Sequence, residues 1–338
     1  MRIGLVLGAG GTTGAAFHAG ALLALEQDLG WDPRDADVVV GSSAGSIVGA
    51  LLRAGLTTDD LAAWGAEAEP LDAGREARRL LDELEQSGYP LAPGRPTLAL
   101  PRAAMFSNML HPSRLRLHTA VMSLLPYGWI DAGRSLQRLG ELVSGWPERS
   151  LWITAVRTSD ARRVVFGRDE LHHPVSLGLA VAASCAIPAV FRPVRIGAHR
   201  YIDGGAHSPT NADVLIGSGV DVAIVLSPMS AQRSALRRRP DHMLRSLFAR
   251  RLRIECATLR AAGIEVHVFE PDAATLSTMG VNALDRRRSA AVVRESFLSA
   301  GSTIIGNSRL QEVLRERRAV STSTSTSTAT STAPAPSA

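Results

Sequence analysis

Residues 3–14, IGLVLGAGGTTG, decide the fold class of this chain. The apolar run Ile3–Leu7 is short and ends at a glycine-rich turn, which predicts a buried parallel strand. The Ala- and Leu-rich segment that follows predicts a helix to about Leu29. Residues 37–40, DVVV, predict a second strand, and the segment beyond predicts a second helix that ends at Gly55. A strand–helix–strand–helix order indicates a parallel sheet covered by helices.

The rest of the chain continues this α/β pattern. The segment that starts at Thr57-Thr58-Asp59-Asp60 has the hydroxyls and acids of a helix start. Residues 89–113 contain five prolines and predict a long irregular connection. The apolar segment 115–129 fits either a helix packed on the core or a lid that contacts lipid. Strands are predicted at 151–156, 163–166, 220–226 and 265–269, a hairpin at 191–202, and helices at 175–187, 236–262 and 286–299.

Composition excludes several classes of function. The chain has 338 residues and a net charge of +5, all of its basic residues are arginine, and these are spread along the chain, so we expect no nucleic-acid binding. Two cysteines and nine histidines without ligand spacing indicate reduced thiols and neither metal nor cofactor. No signal peptide or membrane-spanning run is apparent. We therefore expect a cytoplasmic protein, with peripheral contact to a membrane, and the sequence predicts no oligomeric state.

The pentapeptide GSSAG matches the G-x-S-x-G pattern of a nucleophile elbow, with Ser43 at its centre. Gly41 and Gly45 let the strand and the helix approach each other, and Ser42 and Ala44 flank the nucleophile. The helix that starts behind the serine directs its positive end at a developing oxyanion. Because the motif lies between a Val-rich strand and an amphipathic helix, we interpret it as a catalytic serine and not as a plain glycine-rich turn.

The first glycine-rich turn, Gly8–Gly14, can direct backbone N–H groups at an anion. A dinucleotide site would need glycine where Thr13 stands in the GxGxxG frame, and an acidic residue at the end of the second strand. A Walker-type loop would need a lysine, and the chain has none. We therefore predict that the N–H groups of Gly10, Gly11 and Thr12 form an oxyanion hole.

A serine nucleophile needs a base, and the acid motif Asp203-Gly204-Gly205 follows a predicted strand. The small residues after the acid allow another part of the backbone to approach closely. His207 lies four residues after the acid. In Ser–His–Asp triads the histidine and its acid come from separate loops, so we expect Asp203, and not His207, to be the base.

Three blocks occur in order over roughly residues 3–228: GLVLGAGGTTGAAFHAGAL, GSSAGS and AASCAIPAVFRPVRIGAHRYIDGGAHSPTN. Together they resemble the patatin-like phospholipase family. The resemblance implies a three-layer α/β/α sandwich with a mostly parallel central sheet, and acyl esters of phospholipids or neutral lipids as substrates. It also implies a Ser43–Asp203 dyad without histidine or cofactor, and places Gly10 and Gly11 in the oxyanion loop.

The chain departs from the family in its glycine loop. Ala9 stands in place of the first glycine of the usual GGGxRG, and Thr13 in place of the arginine. Backbone donors survive this change, but a cationic contribution to the oxyanion is lost. We expect a serine lipid acyl hydrolase of the phospholipase, lysophospholipase or esterase type. The alternative is a catalytically weak or inactive homologue that binds lipid and has a regulatory role.

The same resemblance predicts the domain organisation. A patatin-like catalytic domain is expected at 1–228, with a helical and loop lid-like insertion at 57–130. A C-terminal α/β extension is expected at 229–312, packed on the same core. Residues 313–338 end in a repetitive Ser/Thr/Pro/Ala sequence that cannot bury a core, so a disordered tail is expected there.

Overall fold

The computed structural model describes residues 1–65, 128, 145–169, 174–232, 235 and 240–317. The predictions for 89–113, for 115–129 and for most of the lid-like insertion and the tail lie outside these residues. No described helix is both long enough and apolar enough to cross a bilayer.

The described residues form eight strands of one mixed sheet. Its order is β5-β6-β3-β2-β1-β7-β8, and β4 pairs with the other edge of β3. Strands β3, β2, β1, β7 and β8 run parallel, whereas β4 and β6 are antiparallel to β3. The strands are β1 (Ile3–Leu7), β2 (Val38–Gly41), β3 (Ser150–Arg157), β4 (Arg162–Phe166), β5 (Val194–Ile196), β6 (His199–Asp203), β7 (Val222–Leu226) and β8 (Glu265–Phe269).

Helices cover both faces of this sheet. They are α1 (Gly11–Leu29), α2 (Ala44–Arg53), α3 (Thr58–Gly65), α4 (Leu177–Ser184), α5 (His242–Ala261), α6 (Ala273–Met279), α7 (Ser289–Ile305) and a last helix at 308–317. Leu5 and Leu7 of β1 pack in the core beneath α1 and α2, whereas Val6 between them packs on the opposite face with Leu252 and Leu259 of α5. This alternation of neighbouring side chains confirms the predicted three-layer α/β/α architecture.

Three details differ from the sequence-based expectations. Helix α6 was not predicted, because seven residues show no clear periodicity; the side chain of Asp272 caps it by accepting from the Thr275 N–H at 2.8 Å. Helix α5 begins at His242, and residues 236–239 lie outside the described part. The tail was predicted to start at residue 313, which is too early. Val313 and Leu314 are fully buried in the helix 308–317, because together with Leu310 they lie on the face of this helix that packs on the core.

The site of interest lies where two strands meet on one edge of β3. Strand β2 runs parallel to β3 and ends at Gly41, opposite Ile153. Strand β6 runs the other way along the same edge and ends at Asp203, opposite Ala155. The carboxyl ends of both strands therefore converge on Thr154, which brings the residues that follow them together.

Candidate active site

Ser43 occupies a strained turn between β2 and α2. Its φ of 52° and ψ of −123° are rare for a residue with a side chain, and its surface is only 4% exposed. The Ser43 N–H donates to Ser184 Oγ at 2.8 Å, and Ser46 Oγ donates to the Ser43 carbonyl at 2.6 Å. Strain of this kind persists only where neighbours hold it, and it is the backbone geometry that a strand–turn–helix elbow requires.

The glycines on either side of this turn are required by close packing. A Cβ added to Gly45 would overlap the carbonyl of Leu7, the last residue of β1. One added to Gly41 would lie 2.6 Å from Ser46 Cα. Between them, the Ser42 N–H donates to the Leu7 carbonyl at 3.0 Å. The elbow is thus pressed against the end of β1, next to the first glycine-rich turn.

Asp203 lies buried beside the serine. Its carboxylate accepts the Gly205 N–H at 2.6 Å and a hydrogen bond from the side chain of Ser43, and its own N–H donates to the Ala186 carbonyl at 2.9 Å. Burial raises the pKa of Asp203 to about 7, and the hydrogen bonds from Ser43 and Gly205 act in the opposite direction. A carboxylate with a pKa near neutrality can both accept and return a proton.

A buried amide that the sequence did not single out joins these two motifs. Asn211 Nδ2 lies 3.0 Å from Ser42 Oγ, 3.2 Å from Thr154 Oγ1 and 3.2 Å from the Gly204 carbonyl. Ser42 Oγ and Thr154 Oγ1 are themselves 2.7 Å apart. The side-chain oxygen of Asn211, Oδ1, accepts a hydrogen bond from Arg163 Nη1 at 3.2 Å. Asn211 therefore connects the elbow, the centre of β3 and the acid motif.

The glycine loop after β1 is anchored at its start. The Gly8 N–H donates to the Leu226 carbonyl at 3.0 Å, and the Ala9 N–H donates to the Pro209 carbonyl at 2.7 Å. His18 Nε2 binds the Gly8 carbonyl at 2.7 Å. Burial lowers the pKa of His18 to about 4 despite that bond, so the ring is neutral and donates through Nε2.

At the tip itself, three amides are available. Within the described part of the chain, the N–H groups of Gly10, Gly11 and Thr12 donate to no other group. They lie at the N-terminus of α1, where unpaired amides and the helix dipole favour negative charge. An added Cβ on Gly205 would lie 3.1 Å from Ala9 Cβ, so the acid motif touches this loop. The three predicted motifs are therefore neighbours.

Comparison with known families agrees with this geometry. The model of the family described as Patatin-like phospholipase matches residues 5–216, which include the glycine loop, the elbow and the acid motif. The chain belongs to the patatin-like phospholipase family. Two solved structures resemble it: VipD from Legionella pneumophila and the type III effector protein ExoU.

These likenesses are distant. VipD is 14% identical with a TM-score of 0.42, and the match covers 90% of this chain and 67% of VipD. ExoU is 16% identical with a TM-score of 0.37, and the match covers 93% of this chain and 53% of ExoU. The chain thus spans little more than half the length of ExoU. A search of curated proteins gives no significant match.

The residue that departs from the patatin pattern has a structural contact. Thr13 is 1% exposed, its N–H donates to the Ala283 carbonyl at 3.0 Å, and its hydroxyl lies 3.5 Å from the same oxygen. A Cβ on the neighbouring Gly11, whose φ is +59°, would lie 2.6 Å from that oxygen. The turn around Ala283 therefore covers the place where other patatins carry arginine.

Two other candidates have different surroundings. His207 ends the short turn after the acid motif, and its N–H donates to the Gly204 carbonyl at 3.0 Å. Cys185 is buried with its Sγ 3.7 Å from Ser46 Oγ, and burial together with the charge of Asp203 raises the pKa of its thiol. The thiol is therefore protonated and a poor nucleophile. Among the described residues, no group of His, Cys, Asp and Glu is arranged to hold a metal ion.

Proposed function

We propose that this chain is a serine lipid acyl hydrolase in which Ser43 is the nucleophile and Asp203 its base. Membership of the patatin-like phospholipase family implies hydrolysis of lipids. The observation that carries the finer assignment is the hydrogen bond from Ser43 to a buried carboxylate with a pKa of about 7. The free amides of Gly10, Gly11 and Thr12 support it, because acyl transfer needs donors for an oxyanion.

In the first half of the reaction, Ser43 Oγ attacks the ester carbonyl carbon and its proton passes to the Asp203 carboxylate. The carbonyl oxygen becomes an oxyanion, which the amides of Gly10 and Gly11 and the N-terminus of α2 stabilise. The tetrahedral intermediate then collapses, and the alcohol or lysolipid leaves with the proton returned by Asp203. The product is an acyl ester of Ser43.

In the second half, water replaces the alcohol. The Asp203 carboxylate accepts a proton from the water as its oxygen attacks the acyl carbon. The same amides hold the second oxyanion, and collapse releases the fatty acid while Ser43 Oγ takes the proton back. Every proton transfer uses one carboxyl group, so the reaction needs neither histidine nor metal.

The second candidate function, a weak or inactive lipid-binding homologue, has Thr13 as its basis. The buried contact of Thr13 with Ala283 supports a structural role for this residue, because the hydroxyl and the amide both hold the covering turn. The backbone donors of Gly10 and Gly11 do not depend on a cation at that position. We therefore favour the enzyme.

We further propose that the protein acts on acyl esters of phospholipids or neutral lipids in the cytoplasm, as a peripheral protein at the membrane. The two free cysteines, Cys185 and Cys256, are both buried, which suits a reducing compartment.

Labelling with a fluorophosphonate tests this proposal, because the probe reacts only with an activated serine. We expect the wild type to be labelled and Ser43→Ala to be neither labelled nor able to hydrolyse a short-chain ester. Ser42→Ala is the matched control: its hydroxyl points to Thr154 and Asn211, so labelling should persist with a stability loss of about 1 kcal/mol. Absence of labelling and of ester turnover in the wild type would favour the lipid-binding homologue.

A further inference from the structure

Two surface elements flank the glycine loop from different sides. Pro228 packs on Gly10, where an added Cβ would lie 2.7 Å from Pro228 Cγ. Arg245 of α5 donates through Nη1 to the Pro228 carbonyl at 2.9 Å. On the other side, the turn around Ala283 contacts Gly11. The N-terminal half of α5 and the 280–288 turn therefore lie at the same edge of the sheet as the dyad.

Both elements expose large apolar side chains at this edge. Met243 is 77% exposed, Leu244 44% and Leu247 57%, all within the first two turns of α5. Val281, two residues before Ala283, is 64% exposed. We call these four side chains the apolar rim. Exposed apolar residues on two separate elements beside one site indicate an interaction surface.

Arginines surround the apolar rim. Arg250 follows Leu247 by one helical turn and is exposed, as are the consecutive residues Arg286, Arg287 and Arg288 after Val281. The acidic residues Asp241 and Asp285 beside these elements form salt bridges: Asp241 pairs with Arg245, and Asp285 pairs with Arg287 and Arg288. Glu255 is 1% exposed on the opposite face of α5. The surface around the rim is therefore apolar and cationic, the combination that suits an anionic lipid surface.

We propose that the apolar rim inserts into the headgroup region of an anionic phospholipid bilayer, while Arg250 and Arg286–Arg288 contact its phosphates. This inference rests on the proposed function, since it brings the edge of the sheet that carries Ser43 against the membrane that holds the substrate. The amphipathic character of α5 supports it: one face carries Leu252 and Leu259 into the core and the other carries the rim. The occupant is a lipid surface and not a second protein.

Flotation with vesicles tests the proposal separately from catalysis. The full chain carrying Ser43→Ala is mixed with vesicles of phosphatidylcholine alone or of phosphatidylcholine with phosphatidylserine. We expect binding to the anionic vesicles that weakens with added salt. Met243→Ser with Leu247→Ser should weaken that binding more than about tenfold, since each removes an apolar side chain that insertion into the headgroup region would bury. Arg250→Gln with Arg287→Gln should weaken it about fivefold per arginine.

The matched control lies on a different helix, farther from the site. Helix α7 runs alongside α1, with Gly301 next to Asp28, so Leu298 and Ile305 lie away from the site although they are 56% and 79% exposed. Leu298→Ser with Ile305→Ser should leave vesicle binding unchanged. Equal losses in both pairs, or no binding to either vesicle, would overturn the proposal. Failure of the proposed function shows elsewhere, as an unlabelled Ser43 in the fluorophosphonate assay.

Discussion

Replacement of Asp203 by asparagine should stabilise the folded protein at alkaline pH while it abolishes catalysis. The carboxyl has an ordinary pKa near 3.8 in the unfolded chain and about 7 in the folded state. Between these values the folded state holds a proton that the unfolded state has lost. The free energy of unfolding therefore decreases as the pH rises from about 4 to about 7. Asparagine carries no charge and avoids this loss.

The size of the effect follows from the two pKa values. Each pKa unit corresponds to about 1.36 kcal/mol, so the buried charge destabilises the wild type by about 4 kcal/mol above pH 7. At about pH 5 the same calculation gives about 2 kcal/mol. The stability of Asp203→Asn relative to the wild type should therefore increase by about 2–3 kcal/mol between about pH 5 and pH 8. The change between two pH values cancels packing effects that do not depend on pH.

Urea unfolding of both proteins at the two pH values measures this change. Asp160→Asn is the matched control. Burial opposes ionisation of Asp160, but its hydrogen bonds from Arg157 and Arg162 outweigh that effect and lower its pKa. Asp160 is thus ionised in both states at these pH values, and its variant should be less stable than the wild type by a constant amount. If Asp203→Asn also differs from the wild type by a constant amount, the Asp203 pKa is not raised and the argument for a poised base fails.

Three further predictions concern the same site. The kcat/KM for a soluble ester should rise with pH through about 7, since only ionised Asp203 accepts the serine proton; a profile that falls over this range would contradict the assignment. Asn211→Ala should lower the free energy of unfolding by about 2–4 kcal/mol, measured by urea unfolding, and slow fluorophosphonate labelling, because several buried groups lose their partner. Gly11→Ala should lower the melting temperature and ester turnover more than Gly217→Ala does; both glycines have positive φ, but only Gly11 faces Ala283, and equal losses would mean that this contact is unimportant.

The sequence predicted those elements whose signal is local. Ile3–Leu7 and Val222–Leu226 are uninterrupted apolar runs bounded by turn residues, and both are strands paired in the centre of the sheet. The elbow around Ser43 could be predicted because the two glycines that it requires, Gly41 and Gly45, lie within one stretch of five residues. Such features depend on neighbours in sequence, so a pattern can contain them.

The contacts that assemble the site are long-range and were not predicted. Asn211 meets Ser42 across 169 positions and Thr154 across 57. Ser184, which accepts the N–H of Ser43, is 141 positions away. Both residues lie inside the blocks that resemble the patatin family, and this was the available signal. The sequence pattern shows that Ser184 and Asn211 are present. The hydrogen bonds that they make depend on how β3 brings the ends of two strands together.

The contact of Thr13 with Ala283 shows the same limitation more sharply. These residues are 270 positions apart, in parts of the chain that were expected to belong to different domains. The departure from the usual arginine could be seen in the sequence, but the contact that Thr13 makes instead could not. Only the fold shows that a turn from the C-terminal part covers this position.

The proposed base and nucleophile follow strands that are paired over different lengths. Ser43 follows β2, which pairs with β1 and with β3 over four residue pairs each, whereas Asp203 ends β6, which pairs with β3 and with β5 over only three residue pairs each. Short ladders of this kind open at a lower free energy than the centre of a sheet. We therefore expect opening of this hairpin to part Asp203 from Ser43 while the rest of the molecule stays folded, so that the assembled pair is one population in an equilibrium. Under the proposed mechanism, any change that stabilises or loosens this hairpin should alter turnover without touching the reacting atoms.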